Sequence, residues 1–258
     1  MLGALLVVGP LLGAAQSALI VSGDGGPAAT ALVSRSVVIG VVLTLVIFGV
    51  AGAYGAVTGR VCGVRSGMIA TGFVLLGPAW VSGTMVDLLR WADAPGALLR
   101  LAFEGVLVGT LGGACALLIA RTGKHDEHDH SDGAMSAQGV LGLSVAIAAG
   151  AAGAWLVARE SLKGQTVAAG IVAGVAAGLL GRVIAHRTPA LTFVIGAGVM
   201  AVVAPLMAAV VHGDGALRDV YEQTFVAIGL LTPMEWIAGA FVGAPLGMTW
   251  AASMVDRK

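Results

Sequence analysis

Charge is scarce in this chain of 258 residues: 11% of them are charged, against about 25% in an ordinary soluble domain. The 14 Lys and Arg balance the 14 Asp and Glu, and the formal net charge is zero. With neither a basic excess nor a basic run there is no electrostatic footprint for a phosphate backbone, and nucleic acid is excluded as a partner. Cysteine is nearly missing. Cys62 and Cys115 both fall at or near the face assigned below to the reducing cytoplasm, so no disulfide is expected. Catalytic signatures are missing as well, with no GxSxG, HExxH, CxxC or GxxxxGK[ST]. No His sits inside a span to ligate haem, and no Lys sits mid-span to carry retinal. The chain is therefore expected not to be an enzyme.

What is there is apolar. Hydrophobic residues make up 58% of the chain and the mean hydropathy is +0.96. Splitting the sequence at its charges leaves uncharged stretches over 1–23, 36–59, 66–86, 105–120, 133–158, 164–181, 188–211 and 236–255. These predict an all-α integral membrane protein with eight transmembrane helices. No Lys or Arg precedes the first apolar run, which reads as a retained span rather than a secretory signal.

An even number of spans puts both termini on one side. That side collects Arg60, Arg65, Arg121, Lys124, Arg182, Arg187, Arg257 and Lys258, against Arg35, Arg90, Arg100, Arg159, Lys163 and Arg218 on the other. The balance favours cytoplasmic termini in a bacterial or archaeal cytoplasmic membrane. Trp80, Trp91, Trp155, Tyr221 and Trp236 fall near the outer boundary, as an aromatic belt would. Residues 87–100 mix Leu with Asp and Arg around a Pro-Gly break, which suits an amphipathic piece on the outer surface. Residues 214–233 begin in the same way and then turn apolar for too few positions to span; they read as a re-entrant half-helix or a buried extension of the last span.

The sequence also repeats. GRVCGVR at 59–65 returns as GRVIAHR at 181–187, and Gly52 and Gly59 match Gly174 and Gly181 at the same offset. Gly105, Gly109 and Gly113 match Gly239, Gly243 and Gly247, and Lys124 then falls on Lys258. The reading is a duplication into two parallel four-helix repeats, 1–120 and 139–258, joined by a His/Asp-rich cytoplasmic linker over 121–138. Four spans per half make the two repeats start on the same side, related by an axis along the membrane normal.

Three features can carry function. The stripes Gly105, Gly109, Gly113; Gly170, Gly174, Gly178; and Gly239, Gly243, Gly247 each place glycines four apart on one helix face, where they let a second backbone approach closely. They are expected to serve packing within the bundle, a homo-oligomer interface, or a glycine-lined pore whose backbone faces water. Glu104 and Glu235 are the acidic residues that open apolar spans, with Arg100 one turn before Glu104 as a ready partner. A carboxylate at a span start can bind a cation or relay a proton, and it is also favoured there by the helix macrodipole. In the linker, His125, His128 and His130 stand among Asp126 and Asp129, a donor set that can collect a divalent metal such as Zn, Ni or Co. The functional expectation is a small transporter or channel for an ion or small solute, including a divalent metal. Its alternative is a non-catalytic anchoring or accessory subunit of a larger membrane complex.

Overall fold

The computed structural model describes residues 1–90, 92–124, 137–185 and 188–255, and all of the regular structure among them is helical. A π-helical turn, Ala4–Val8, leads into α1 (Gly9–Leu19). There follow α2 (Val37–Cys62), α3 (Val64–Val81), a short α4 (Met85–Arg90), α5 (Ala94–Thr122), α6 (Ala137–Val157), α7 (Lys163–Ile184) and α8 (Ala190–His212). After them come the short α9 (Ala216–Tyr221) and α10 (Pro233–Val255).

Seven of these helices, α2, α3, α5, α6, α7, α8 and α10, are long and apolar enough to cross a membrane, and the chain is a polytopic membrane protein. The first of the eight expected spans is shorter than its apolar stretch. Its helix runs only from Ala4 to Leu19, below the roughly 20 residues a bilayer needs. Ile20 leaves the helical region at φ −101°, ψ 106°, and the run from Ser22 to Pro27 is made of turn-forming residues that cannot extend it.

Two other expectations are revised in the same way. The fourth span starts at Ala94, well before the uncharged stretch at 105–120, because Asp93 caps it, its side chain accepting the Gly96 N–H at 3.0 Å, and Pro95 lies in its first turn. Glu104 therefore lies about three turns inside α5 rather than at its mouth. Residues 214–233 form neither a half-helix nor an extension of the last span. They break into α9 and a 3₁₀ turn, Ala227–Leu230, before Pro233 opens α10.

Close glycine contacts fix the helix directions. A Cβ on Gly9 would meet the Phe73 carbonyl and one on Gly13 the Gly77 carbonyl, so α1 and α3 run parallel. Gly105 sits on Ala201 and Gly109 on Gly198, making α5 and α8 antiparallel. Gly170 lies against Glu235, Gly174 against Gly239, and Gly178 against Ala244, so α7 and α10 are parallel. One end of the bundle, the loop end, thus gathers segment 20–36, α4, α9 and the N-termini of α5, α7 and α10. At the opposite end a single residue, Gly63, joins α2 to α3 at φ 91°, a left-handed value that favours glycine.

The centre belongs to α10, 67% of whose span is buried, against 33% for α6. It packs on α7, α3, α8 and α5. Trp236, expected in the aromatic belt, is instead buried in this core, whereas Trp80, Trp155 and Tyr221 are exposed.

Candidate functional site

The α10 N-terminus is written Thr232-Pro-Met-Glu235, the pattern of a capping box with Pro at the first helical position. Half of that box forms: Glu235 Oε2 accepts the Thr232 backbone N–H at 2.7 Å. The other carboxylate oxygen, Oε1, accepts the Thr166 hydroxyl at 2.6 Å and the Lys163 ammonium at 2.8 Å. Lys163 opens α7, and its Nζ also donates to Ser82 Oγ at 3.1 Å and to the Gly83 carbonyl at 3.3 Å, both just beyond the end of α3. The Glu235 side chain is fully enclosed, and that of Lys163 keeps 14% exposure. An ionised carboxylate out of water is tolerable only with this kind of pairing, because several kcal/mol of lost solvation must be replaced.

Glu104 is buried too, on α5, and is held differently. Its Oε2 accepts the Thr30 hydroxyl at 2.7 Å and the Leu32 N–H at 2.8 Å, both from segment 20–36. Arg100, the expected partner, is exposed and is not among its hydrogen-bond partners. Among the described residues the two glutamates share no partner, yet they are connected. Gly83 donates its N–H to the Ala29 carbonyl at 3.3 Å while its own carbonyl accepts from Lys163. The chain of contacts runs from Glu104 through residues 29–32 to Gly83, Lys163 and Glu235. Gly83 must be glycine here, since a Cβ would lie 2.8 Å from the Ala28 oxygen.

Segment 20–36 is irregular but ordered by its own bonds. Arg35 N–H reaches the Val21 carbonyl at 2.9 Å, and Ser22 N–H reaches that of Gly26 at 2.8 Å. At its exposed turn the Ser22 hydroxyl, and then the Gly26 N–H, hold the Asp24 carboxyl below the usual carboxylate range. Beside it α4 meets α9, where Arg90 donates to the Tyr221 hydroxyl at 2.6 Å. His212, at the end of α8, accepts the Val226 N–H on Nε2 at 3.0 Å. Its proton therefore sits on Nδ1, facing Asp219 Oδ2 at 2.8 Å, and its ring stacks on Phe225.

The glycine stripes are placed within the chain. Those of α7 and α10 face each other, and Gly105 and Gly109 face α8, while a Cβ on Gly113 would meet nothing within 4 Å. His125, Asp126, His128, Asp129 and His130 lie outside the described residues. Among the described residues no three His, Cys, Asp or Glu side chains gather as a metal would need.

Sequence reasoning found both carboxylates and missed what holds them. Lys163 was legible only as one of the outer-side charges, and Thr30, Ser82, Gly83 and Thr166 carried no signal. Glu235 does stand in the first turn of its span, as expected, and the Thr-Pro-Met-Glu pattern is the signal that would have given its bond to the Thr232 N–H. Compared with known proteins, the chain matches no family model, no curated protein and no solved structure.

Proposed function

We propose that the chain is a small transporter or channel in which the network at the loop end handles the ion and segment 20–36 is the gate. The observation that carries this reading is Gly83, whose N–H donates to Ala29 of segment 20–36 and whose carbonyl accepts from Lys163, so that both buried carboxylates bear on one irregular segment. Irregular backbone beside membrane spans is tolerated where protein buries it or where it lines a pathway, and carriers place their ion sites at such breaks. Ionisable side chains inside spans mark ion and proton pathways by the same logic. A buried ion pair is also weak support for stability compared with an apolar pair of the same volume, which favours a functional reason for Lys163 and Glu235.

Helix pairings support a duplication behind this arrangement. Under it, α2 with α5 corresponds to α7 with α10, and α3 with α10 corresponds to α8 with α5. The aligned glycine triplets nevertheless meet non-equivalent neighbours, α8 for α5 and α7 for α10. The reading takes the opposite end as cytoplasmic, on the bases Arg60, Arg65, Arg121, Lys124 and Arg182. It assigns no catalytic step.

The test is flux in proteoliposomes. Glu104→Gln together with Glu235→Gln should abolish flux of the transported ion while the protein still purifies as a folded species. Flux equal to the wild type would overturn the reading.

A second reading, an accessory subunit, is favoured by one observation. Between α5 and α8 a groove of about 480 Å³ lined by Gly105, Gly109, Gly113 and Gly198 opens on the bundle's surface. Small residues there admit another transmembrane helix. A stoichiometric protein copurifying in mild detergent, and lost with Gly113→Leu, would put this reading first. Elemental analysis of the same preparation, with and without residues 125–132, tests whether the linker holds Zn, Ni or Co.

A further inference from the structure

The Lys163 ammonium sits in a cradle of oxygens: Glu235 Oε1 at 2.8 Å, Ser82 Oγ at 3.1 Å and the Gly83 carbonyl at 3.3 Å. The cradle does not depend on the lysine. Glu235 is held by Thr166 at 2.6 Å and by the Thr232 N–H at 2.7 Å, so its carboxylate stays in place when Lys163 leaves. The Ser82 hydroxyl donates to the Ala79 carbonyl at 2.8 Å, which turns its lone pairs toward the ammonium. Gly83 is fixed by its bond to Ala29. Three preset oxygen acceptors with one negative charge among them match a single positive charge. Ca²⁺ and Mg²⁺ ask for six or more oxygens, with carboxylates or waters in number.

The occupant, by contrast, is free to go. Lys163 carries its charge on a flexible four-carbon stem whose ammonium is strongly hydrated in water. It stands at the first position of α7 with 14% of its side chain exposed, whereas Glu235 beneath it has none. The cation has a route to the loop end and the carboxylate does not.

We propose that Glu235, Ser82 and Gly83 form a site for a small monovalent cation, filled in the resting structure by the Lys163 ammonium and taken by an incoming ion that displaces it. The purpose of such an exchange rests on the transport reading above; the site itself rests on its geometry. The incoming ion would take the Gly83 carbonyl over from Lys163, while the Gly83 N–H keeps its bond to Ala29 of segment 20–36.

The experiment uses the purified wild-type protein in detergent, treated briefly with an amine-acylating reagent in NaCl, KCl or choline chloride at equal ionic strength. Modification of Lys163, read by peptide mass spectrometry, should rise several-fold in NaCl or KCl over choline. The exposed Lys124, at the other end of the bundle, should label alike in all three. Equal labelling of Lys163 in the three salts overturns the proposal. As a second measurement, the unfolding temperature of Lys163→Ala should rise with sodium, potassium or methylammonium chloride and not with choline. The double variant Lys163→Ala/Glu235→Gln should show no such selectivity. A salt response identical for all cations again overturns the site, and the labelling decides alone if Lys163→Ala does not fold. Comparing sodium, potassium and methylammonium separates an alkali-ion site from one for ammonium-type cations. Displacement without flux in liposomes keeps the site and removes the transport reading, while flux with an indifferent Lys163 does the reverse.

Discussion

Glu104 and Glu235 are equally hidden from water and are stabilised by different chemistry. Glu235 has a full counter-charge, so removing one partner leaves the other stranded. Lys163→Met is expected to destabilise the protein by about 3–5 kcal/mol, and Lys163→Met with Glu235→Gln, which removes the stranded charge and keeps an acceptor oxygen beside Thr166 and Thr232, to recover most of that, both read from unfolding in a denaturing detergent series. Glu104 has two neutral donors. Glu104→Ala leaves the Thr30 hydroxyl and Leu32 N–H unpaired, a loss of about 1–3 kcal/mol for each buried group, whereas Glu104→Gln keeps an acceptor oxygen and loses less. Asp24 gives a pH signature in the exposed turn. Its pKa is depressed in the fold, so its contribution is present above the unfolded value and disappears as the pH falls through the folded one. Exchange of the Gly26 amide should speed up in that acidic window, and Ser22→Ala should move the change to higher pH. At this scale the sequence marks the costly residues, because a carboxylate beside an apolar run stands out. It does not mark their partners: Thr30 lies 74 positions from Glu104, and hydroxyls of that kind are common.

At the level of helices, the glycine spacing was legible and the pairing was not. A four-residue repeat defines a face but not what covers it, and three stripes read alike in sequence meet α8, each other, or in part nothing. That difference predicts a contrast. A Cβ on Gly239 would fall 2.2 Å from the Gly170 carbonyl carbon, so Gly239→Leu should separate α7 from α10 and prevent a monodisperse preparation. Gly113→Leu, with open space before it, should leave the unfolding temperature of the isolated protein unchanged. Helix ends followed their local chemistry where caps were present. The α5 start was misplaced because Arg100 and Glu104 were taken to end the apolar span, while the signal that decides, Asp93 followed by Pro95, lies outside it.

For the molecule as a whole, the hydropathy pattern located every long helix, since lipid forces backbone polar groups to be satisfied within each helix and leaves little else to read. Orientation remains a matter of charge. With the opposite end cytoplasmic, a membrane-impermeant maleimide should label the exposed Cys62 in inside-out vesicles and not in right-side-out ones, while the buried Cys115 stays silent in both. Labelling from the outer face would reverse the topology.

The burial of α10 has a consequence for how the protein is made. The most enclosed helix follows all the other described helices in the chain, so during synthesis its neighbours must wait in the bilayer around an unfilled slot edged by Gly72, Gly170 and Gly174. Until α10 arrives, the carboxylate it carries is absent and Lys163 has no counter-charge. The bundle is therefore expected to close late, and a nascent chain halted before Pro233 to be a ready target for membrane proteases.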